Sequence, residues 1–210
     1  MSQPRSYADA PRLPRDQIVD VRRLLSARPE QIEIEIGPGR GGFLFERLAT
    51  RPDIGMIGLE IKRKWAKVVD DRLGRLGYSD RARVFAEDAR EALARLGPDG
   101  CVHAVFLNFP DPWWKKRHYK RLVVGSQVLT AIARLLRPGG ELFIQTDVEE
   151  RAKSYDAMVR AHPAFEPFGD RPGDARVDGN PYVATSHRER RAKRDEIPIH
   201  RVRFARVRTS

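Results

Sequence analysis

Apolar positions along the chain fall into short runs separated by stretches with a period near 3.6, and the two patterns alternate. The runs at 32–36, 54–60, 82–86, 102–107 and 140–147 read as strands. Helical spacing occupies 42–49, 64–76, 89–96, 122–136 and 149–161 between them. Ile18, Val21, Leu24 and Leu25 share a helical face and predict a further helix over 16–27. RPGG at 137–140 supplies the proline and glycine stop expected past a helix end. Residues 165–168 and 197–208 form a candidate antiparallel pair, and 169–181, rich in Gly, Pro, Asp and Arg, reads as a surface loop. Strands alternating with helices through short links predict an α/β fold with a mostly parallel sheet covered on both faces. Residues 1–14 hold three prolines and few apolar side chains, which predicts a flexible or loosely docked arm ahead of one domain spanning 15–210.

Composition narrows the picture. At 210 residues the chain suits one core. Forty Lys and Arg against 29 Asp and Glu leave a net charge of +11, which points to a polyanionic partner. The charge is clustered. Residues 113–121 carry five cations and no acid, and 187–210 carry nine cations against three acids. Cys101 is the sole cysteine, which excludes a disulfide framework and predicts a reducing compartment. The five histidines lie at no recognisable ligand spacing, so no metal is expected. No apolar run approaches the roughly 18 to 20 residues of a membrane span, and the N-terminus lacks a signal-peptide apolar segment; a cytoplasmic protein is expected.

EIGPGRGG places Gly37 and Gly39, with two further glycines, directly after the first long strand, where glycine permits a tight turn and close ligand approach. Such a loop alone fits a dinucleotide dehydrogenase equally well. Carboxylates change the odds. Glu35 precedes the loop, Glu60 ends the next strand at the distance of a ribose-binding acid, and Asp88 follows the third. Three acids at successive strand ends repel phosphates and suit a cationic ligand bearing hydroxyls and amines, which is the chemistry of S-adenosylmethionine.

The blocks EIGPGRGGF, GLEIKRKW, EDAREAL, LNFPDPWWKKRHYKRL, LRPGGELFIQTD and TSHRERR occur in this order over roughly residues 31–206. Together they resemble the tRNA (guanine-N7-)-methyltransferase family. The resemblance implies a Rossmann-like class I methyltransferase with a mostly parallel seven-stranded sheet and helices on both faces. It also implies methyl transfer from S-adenosylmethionine to N7 of guanine 46 in the tRNA variable loop. The alternative is an S-adenosylmethionine-dependent enzyme acting on another RNA or a small molecule; an oxidoreductase or a non-catalytic RNA-binding module are more distant rivals.

By the same resemblance Glu35, Glu60, Asp88 and Asp111 contact the cofactor, and Asp111 is the catalytic residue; the glycine loop adds Gly37 and Gly39, and Asn108, following the fourth strand at the cofactor's reactive end, is expected to join them. Lys115, Asp147, Thr185, Ser186, Arg188 and Glu189 bind substrate, with either hydroxyl of the Thr185–Ser186 pair open as the substrate contact. Lys116, Arg117, His118, Lys120 and Arg121 lie against RNA. Prolines at 110 and 112 fix backbone φ on either side of Asp111. Five cations beside that acidic turn favour phosphate contact. The partner is tRNA, with neither membrane nor metal involved, and the protein is expected to be a monomer or a homodimer.

Overall fold

The computed structural model describes residues 7–110 and 123–208. In chain order the strands are β1 (Val19–Asp20), β2 (Gln31–Ile36), β3 (Ile54–Leu59), β4 (Ala82–Phe85), β5 (Leu96–Gly97), β6 (Val102–Asn108), β7 (Leu136–Thr146), β8 (Phe165–Pro167) and β9 (His200–Arg206). The helices are α1 (Gly42–Thr50), α2 (Arg63–Arg75), α3 (Ala89–Arg95), α4 (Ser126–Leu135), α5 (Glu149–Arg160) and α6 (His187–Arg194).

Successive side chains of a strand point to opposite faces, and β2 shows how this divides the molecule. Ile32, Ile34 and Ile36 enter a buried cluster with Leu93 of α3, Leu129 and Ile132 of α4 and Tyr155 of α5. The opposite face of the sheet packs Met56, Val84 and Phe106 against Phe43 and Leu44 of α1 and Val69 and Leu73 of α2. There β2 offers Glu33, which is fully buried and takes two hydrogen bonds of 2.7 and 2.9 Å from Arg47 of α1.

The main sheet has seven strands in the order β4-β3-β2-β6-β7-β9-β8. The first five are parallel, whereas β9 runs antiparallel to both β7 and β8. The chain steps outward from β2 through β3 to β4 and then returns to β6 on the other side of β2. Their carboxyl ends therefore flank the topological switch point, where open α/β sheets bind ligands.

Four regions differ from the periodicity. The helix expected over 16–27 is instead β1, paired in parallel with β5, followed by a 3-10 turn at Val21–Arg23. Asp20 accepts a 3.0 Å bond from Arg22 N, a local side-chain bond that competes with helix. Val19 and Val21 are buried while Ile18 is 68% exposed. The RPGG segment does follow a helix, since α4 ends at Leu135, but it also lies inside β7 as a register shift against β6.

Residues 169–181 are not a free surface loop. Ala175 and Val177 are buried, and Arg203 N donates to Ala175 O (2.8 Å) while Val177 N donates to Arg201 O (3.2 Å). The short strand β8 reaches only Phe204–Arg206 of β9, so these residues take up the backbone groups it leaves unpaired. Finally, the N-terminal stretch docks on the edge strand β4. Ala86 N donates to Pro11 O (2.7 Å), Leu13 N donates to Glu87 Oε1 (3.1 Å), and Leu13 is 2% exposed.

Candidate cofactor and substrate site

At the carboxyl end of β2, Glu35 is 1% exposed and Asn108, at the end of β6, donates to its Oε1 at 2.9 Å. Glu35 Oε2 is buried and has no hydrogen-bond partner among the described residues. Burial pushes the Glu35 carboxyl up to about 7; the Asn108 bond pulls it down, and the charge of Glu60 raises it further. A buried carboxylate oxygen without a donor is costly, so this position is built to receive one.

Beside it runs the glycine loop. Gly37 and Gly39 have φ of +71° and +56°, and nothing lies within 4 Å of where a Cβ on either would stand. Glu60, just past β3, accepts from Gly39 N (2.9 Å) through one oxygen and from Lys62 N (2.8 Å) through the other, which ties the loop to the neighbouring strand. An ionised carboxylate has about four acceptor sites, so both oxygens retain capacity for hydroxyls. Asp88 stands three residues beyond β4 and caps α3 through Arg90 N (3.0 Å). The side-chain bond from Arg90 holds its carboxyl below the usual range. A cavity of about 480 Å³ opens beside it, lined by Ile61, Ala86, Glu87 and Asp88 together with Arg12 and Arg15 of the docked N-terminal stretch.

The second half of the site is held by a buried polar chain in which Gln145, Arg201 and Asn180, which the sequence did not single out, join Asn108 to Glu189. Gln145, near the end of β7, donates through Nε2 to Asn108 Oδ1 (2.8 Å) and to Glu189 Oε2 (3.1 Å). Arg201 of β9 donates to Gln145 Oε1 and to Glu189 Oε1, both at 3.2 Å. Asn180 donates to both oxygens of Glu189, and Lys193 lies 3.0 Å from Oε1. Burial pushes the Glu189 carboxyl up, but the bonds from Lys193, Asn180 and Gln145 together outweigh it and hold it below its ordinary value. Glu189 is fully buried, so it faces the interior and anchors α6 to the sheet.

Around this anchor stand the other expected substrate residues. Ser186 caps α6 by accepting from Glu189 N at 3.1 Å. Thr185 donates its hydroxyl and its backbone N–H to Glu46 Oε2 at 2.9 and 2.7 Å. Asp147, directly after β7, pairs with Arg188 of α6. The structure thus brings Glu35, Gly37, Gly39, Glu60 and Asn108 to one crevice, with Asp88 at its far end and Asp147, Thr185, Ser186 and Arg188 around α6. Asp111, Lys115, Lys116, Arg117, His118, Lys120 and Arg121 lie outside the described residues.

With that geometry in view, comparison with known proteins is decisive. Residues 29–202 match the model of a family described as putative methyltransferase. The chain is 35% identical over 200 residues to a tRNA (guanine-N(7)-)-methyltransferase of Anaeromyxobacter dehalogenans, covering 95% of this chain and 96% of the relative. It is 38% identical over 175 residues to the enzyme of the same name from Alkalilimnicola ehrlichii, covering 77% and 71%. The chain belongs to the tRNA (guanine-N7-)-methyltransferase family.

Its fold is that of class I methyltransferases. The crystal structure of the 16S rRNA methyltransferase KamB superposes with a TM-score of 0.60 at 12% identity, covering 87% of this chain and 91% of that one. The cofactor of such an enzyme is S-adenosylmethionine, and the residues present suit it. A buried carboxylate oxygen awaits a donor, the loop after it is open, and a phosphate-bearing ligand would find the N–H groups of Gly37 and Gly39 already bonded to Leu59 O and Glu60. The family motif FPDPW passes into the segment beyond Pro110, directly after Asn108.

Proposed function

We propose that this chain methylates N7 of guanine at position 46 in the variable loop of tRNA, with S-adenosylmethionine as donor. The observation that carries the reading is the buried, half-satisfied carboxylate of Glu35 beside an open glycine loop, in a chain 35% identical to a named tRNA (guanine-N7-)-methyltransferase over nearly its full length. When bound, the cofactor supplies an electrophilic methyl group on a sulfonium.

Glu35 Oε2 accepts from the cofactor's ammonium, Glu60 accepts from its ribose hydroxyls, and Asp88 lies at the adenine end of the crevice. Asn108 keeps Glu35 in place, and the backbone at Gly37 and Gly39 allows close approach. Guanine N7 carries a lone pair and no proton, so the chain needs no general base there. Its task is alignment, an effect that contributes up to roughly 7 to 11 kcal/mol.

Asp111, held between two prolines, offsets positive charge developing on the purine, with Lys115 and Asp147 holding the base from other sides. Ser186 is the better of the two hydroxyls for substrate. Its oxygen accepts from Glu189 N and its proton meets no acceptor among the described residues, whereas the Thr185 proton is donated to Glu46. Lys116, Arg117, His118, Lys120 and Arg121 meet RNA phosphates.

The test is incubation with labelled S-adenosylmethionine and unmodified tRNA, followed by cleavage specific for 7-methylguanine. Label at guanine 46 is expected, with most turnover lost in a folded Asp111→Ala variant. Label at another base, or near-normal turnover in that variant, overturns the assignment.

A further inference from the structure

Many exposed or half-buried arginines of this protein are neutralised where they stand. Arg22, Arg51, Arg83, Arg134, Arg160 and Arg188 each lie within 4.0 Å of an aspartate. Scattered cations depart from this, and they are densest in one region. Among the described residues no carboxylate pairs with Arg40 in the glycine loop, nor with Lys62, Arg63, Lys64, Arg72 or Arg75 at α2. The two acids of α2 are engaged elsewhere: Asp70 binds Arg83 and Val84 N, and Asp71 binds Lys67.

These cations are also held in position. Arg40 sits over the Trp65 ring at 5.0 Å with the Lys64 ammonium 5.4 Å from the same ring, and Arg72 sits over Phe45 at 4.4 Å. An aromatic face orients a cation without cancelling its charge, and a stacked guanidinium keeps its edge donors for an anion. Lys64, Val68, Arg72 and Arg75 fall at i, i+4, i+8 and i+11, an exposed stripe about 16 Å long at 1.5 Å per residue. The upper end of the region meets the substrate side of the site: a Cβ on Gly42 would fall 2.9 Å from Arg190 Nη2 and 3.0 Å from His187 Cδ2.

We propose that Arg40, Lys64, Arg72 and Arg75 form a second RNA-contact surface, which grips the phosphate backbone of a tRNA stem beside the cofactor crevice. The inference rests on the tRNA reading above and adds to it where the body of the substrate lies. The stripe suits a helical stem because its contacts are charges at fixed spacing with no side chain set to read a base, and phosphate contacts fix register without sequence. An anionic membrane suits it less. A helix that lies in a membrane surface needs an unpartnered apolar face, and the apolar side of α2, Ala66, Val69 and Leu73, is buried in the core.

The test compares tRNA binding by the full chain with that of a Lys64→Gln/Arg72→Gln/Arg75→Gln variant across a salt series. A control variant, Arg137→Gln/Arg171→Gln/Arg208→Gln, removes the same charge elsewhere. The stripe variant is expected to bind at least tenfold more weakly at 0.1 M salt. Its slope of log K against log salt should be shallower by about 2 to 3, at roughly 0.7 to 0.9 per lost phosphate contact. Its cofactor affinity by calorimetry and its turnover at saturating tRNA should match wild type, which also reports an intact fold.

An unchanged slope in the stripe variant, or an equal drop in the control, overturns the surface while leaving the methyltransferase reading standing. Loss of binding to anionic phosphatidylserine vesicles with tRNA binding unaltered assigns the stripe to membranes and overturns it likewise. A wild-type chain that binds no tRNA overturns both readings.

Discussion

Replacing Glu35 by glutamine isolates the charge on which the cofactor reading depends. Burial holds the Glu35 carboxyl at about 7, against an ordinary value of 4.5, with Asn108 and Glu60 as the groups that act on it next. Between those values the folded protein keeps a proton that the unfolded chain has released. Stability is therefore fully present below about pH 4.5 and falls as pH rises to 7, by up to about 3 kcal/mol at 1.36 kcal/mol per pH unit.

An ammonium placed against Oε2 reverses the preference, because it favours the ionised form. Binding must then expel the proton. At pH 6 the cofactor's amine, with an ordinary value of about 7.7 to 8.0, is already charged, so close to one proton should leave per cofactor bound. Affinity should fall about tenfold for each pH unit below 7.

Calorimetric titration with S-adenosylmethionine at pH 6, in two buffers of different ionisation enthalpy, measures that proton directly. Glu35→Gln should release none, bind more weakly at pH 8, and lose the decline in stability between pH 4.5 and 7. Proton release that is absent in wild type, or equal in wild type and variant, refutes the assignment of the ammonium to Glu35.

Two further predictions concern how the site is held. Arg47→Leu leaves Glu33 charged and buried beneath α1 and should cost about 3 to 5 kcal/mol in urea denaturation, whereas Glu33→Leu/Arg47→Leu should recover most of that loss; a double variant as unstable as the single would show that the pair matters for more than charge compensation. Ser186→Asn preserves an N-cap acceptor for α6 but removes the hydroxyl, so stability should stay within about 0.5 kcal/mol of wild type while KM for tRNA rises; unchanged KM would release Ser186 from the substrate set.

The central elements were legible because their patterns answer to the core alone. Strands β2, β3 and β6 are buried along nearly their whole length, so short apolar runs suffice to mark them, and the boundaries of α1, α2, α3 and α5 fall within one or two residues of the helical period. The failures lie where a contact distant in sequence decides. Val19 and Asp20 extend because Leu96 and Gly97 are there to pair with, and no local signal carries that information. Ala175 and Val177 are buried because β8 ends early, which is a property of another strand. α6 is a different case. Ser186 and Glu189 have the spacing of a capping box, but the basic run after them, which lacks an apolar stripe, hid the helix.

The same distinction governs the site. Acids at strand ends were readable because the glycine loop tells where the crevice must be, and Glu35, Glu60 and Asn108 do meet there. Gln145 is the first polar residue after the apolar run Leu142–Ile144 within GELFIQTD, still inside the strand, and that position was the available signal. Its meaning emerges only when β6, β7, β9 and α6 are brought together. Asn108 holds the carboxylate proposed to receive the cofactor, Glu189 holds the helix proposed to meet the substrate, and Gln145 donates to both through one amide nitrogen. Rotation of that amide would loosen both anchors at once, so the two halves of the crevice share a single rigid element. Such a link suits a reaction whose main requirement is that two bound groups be aligned.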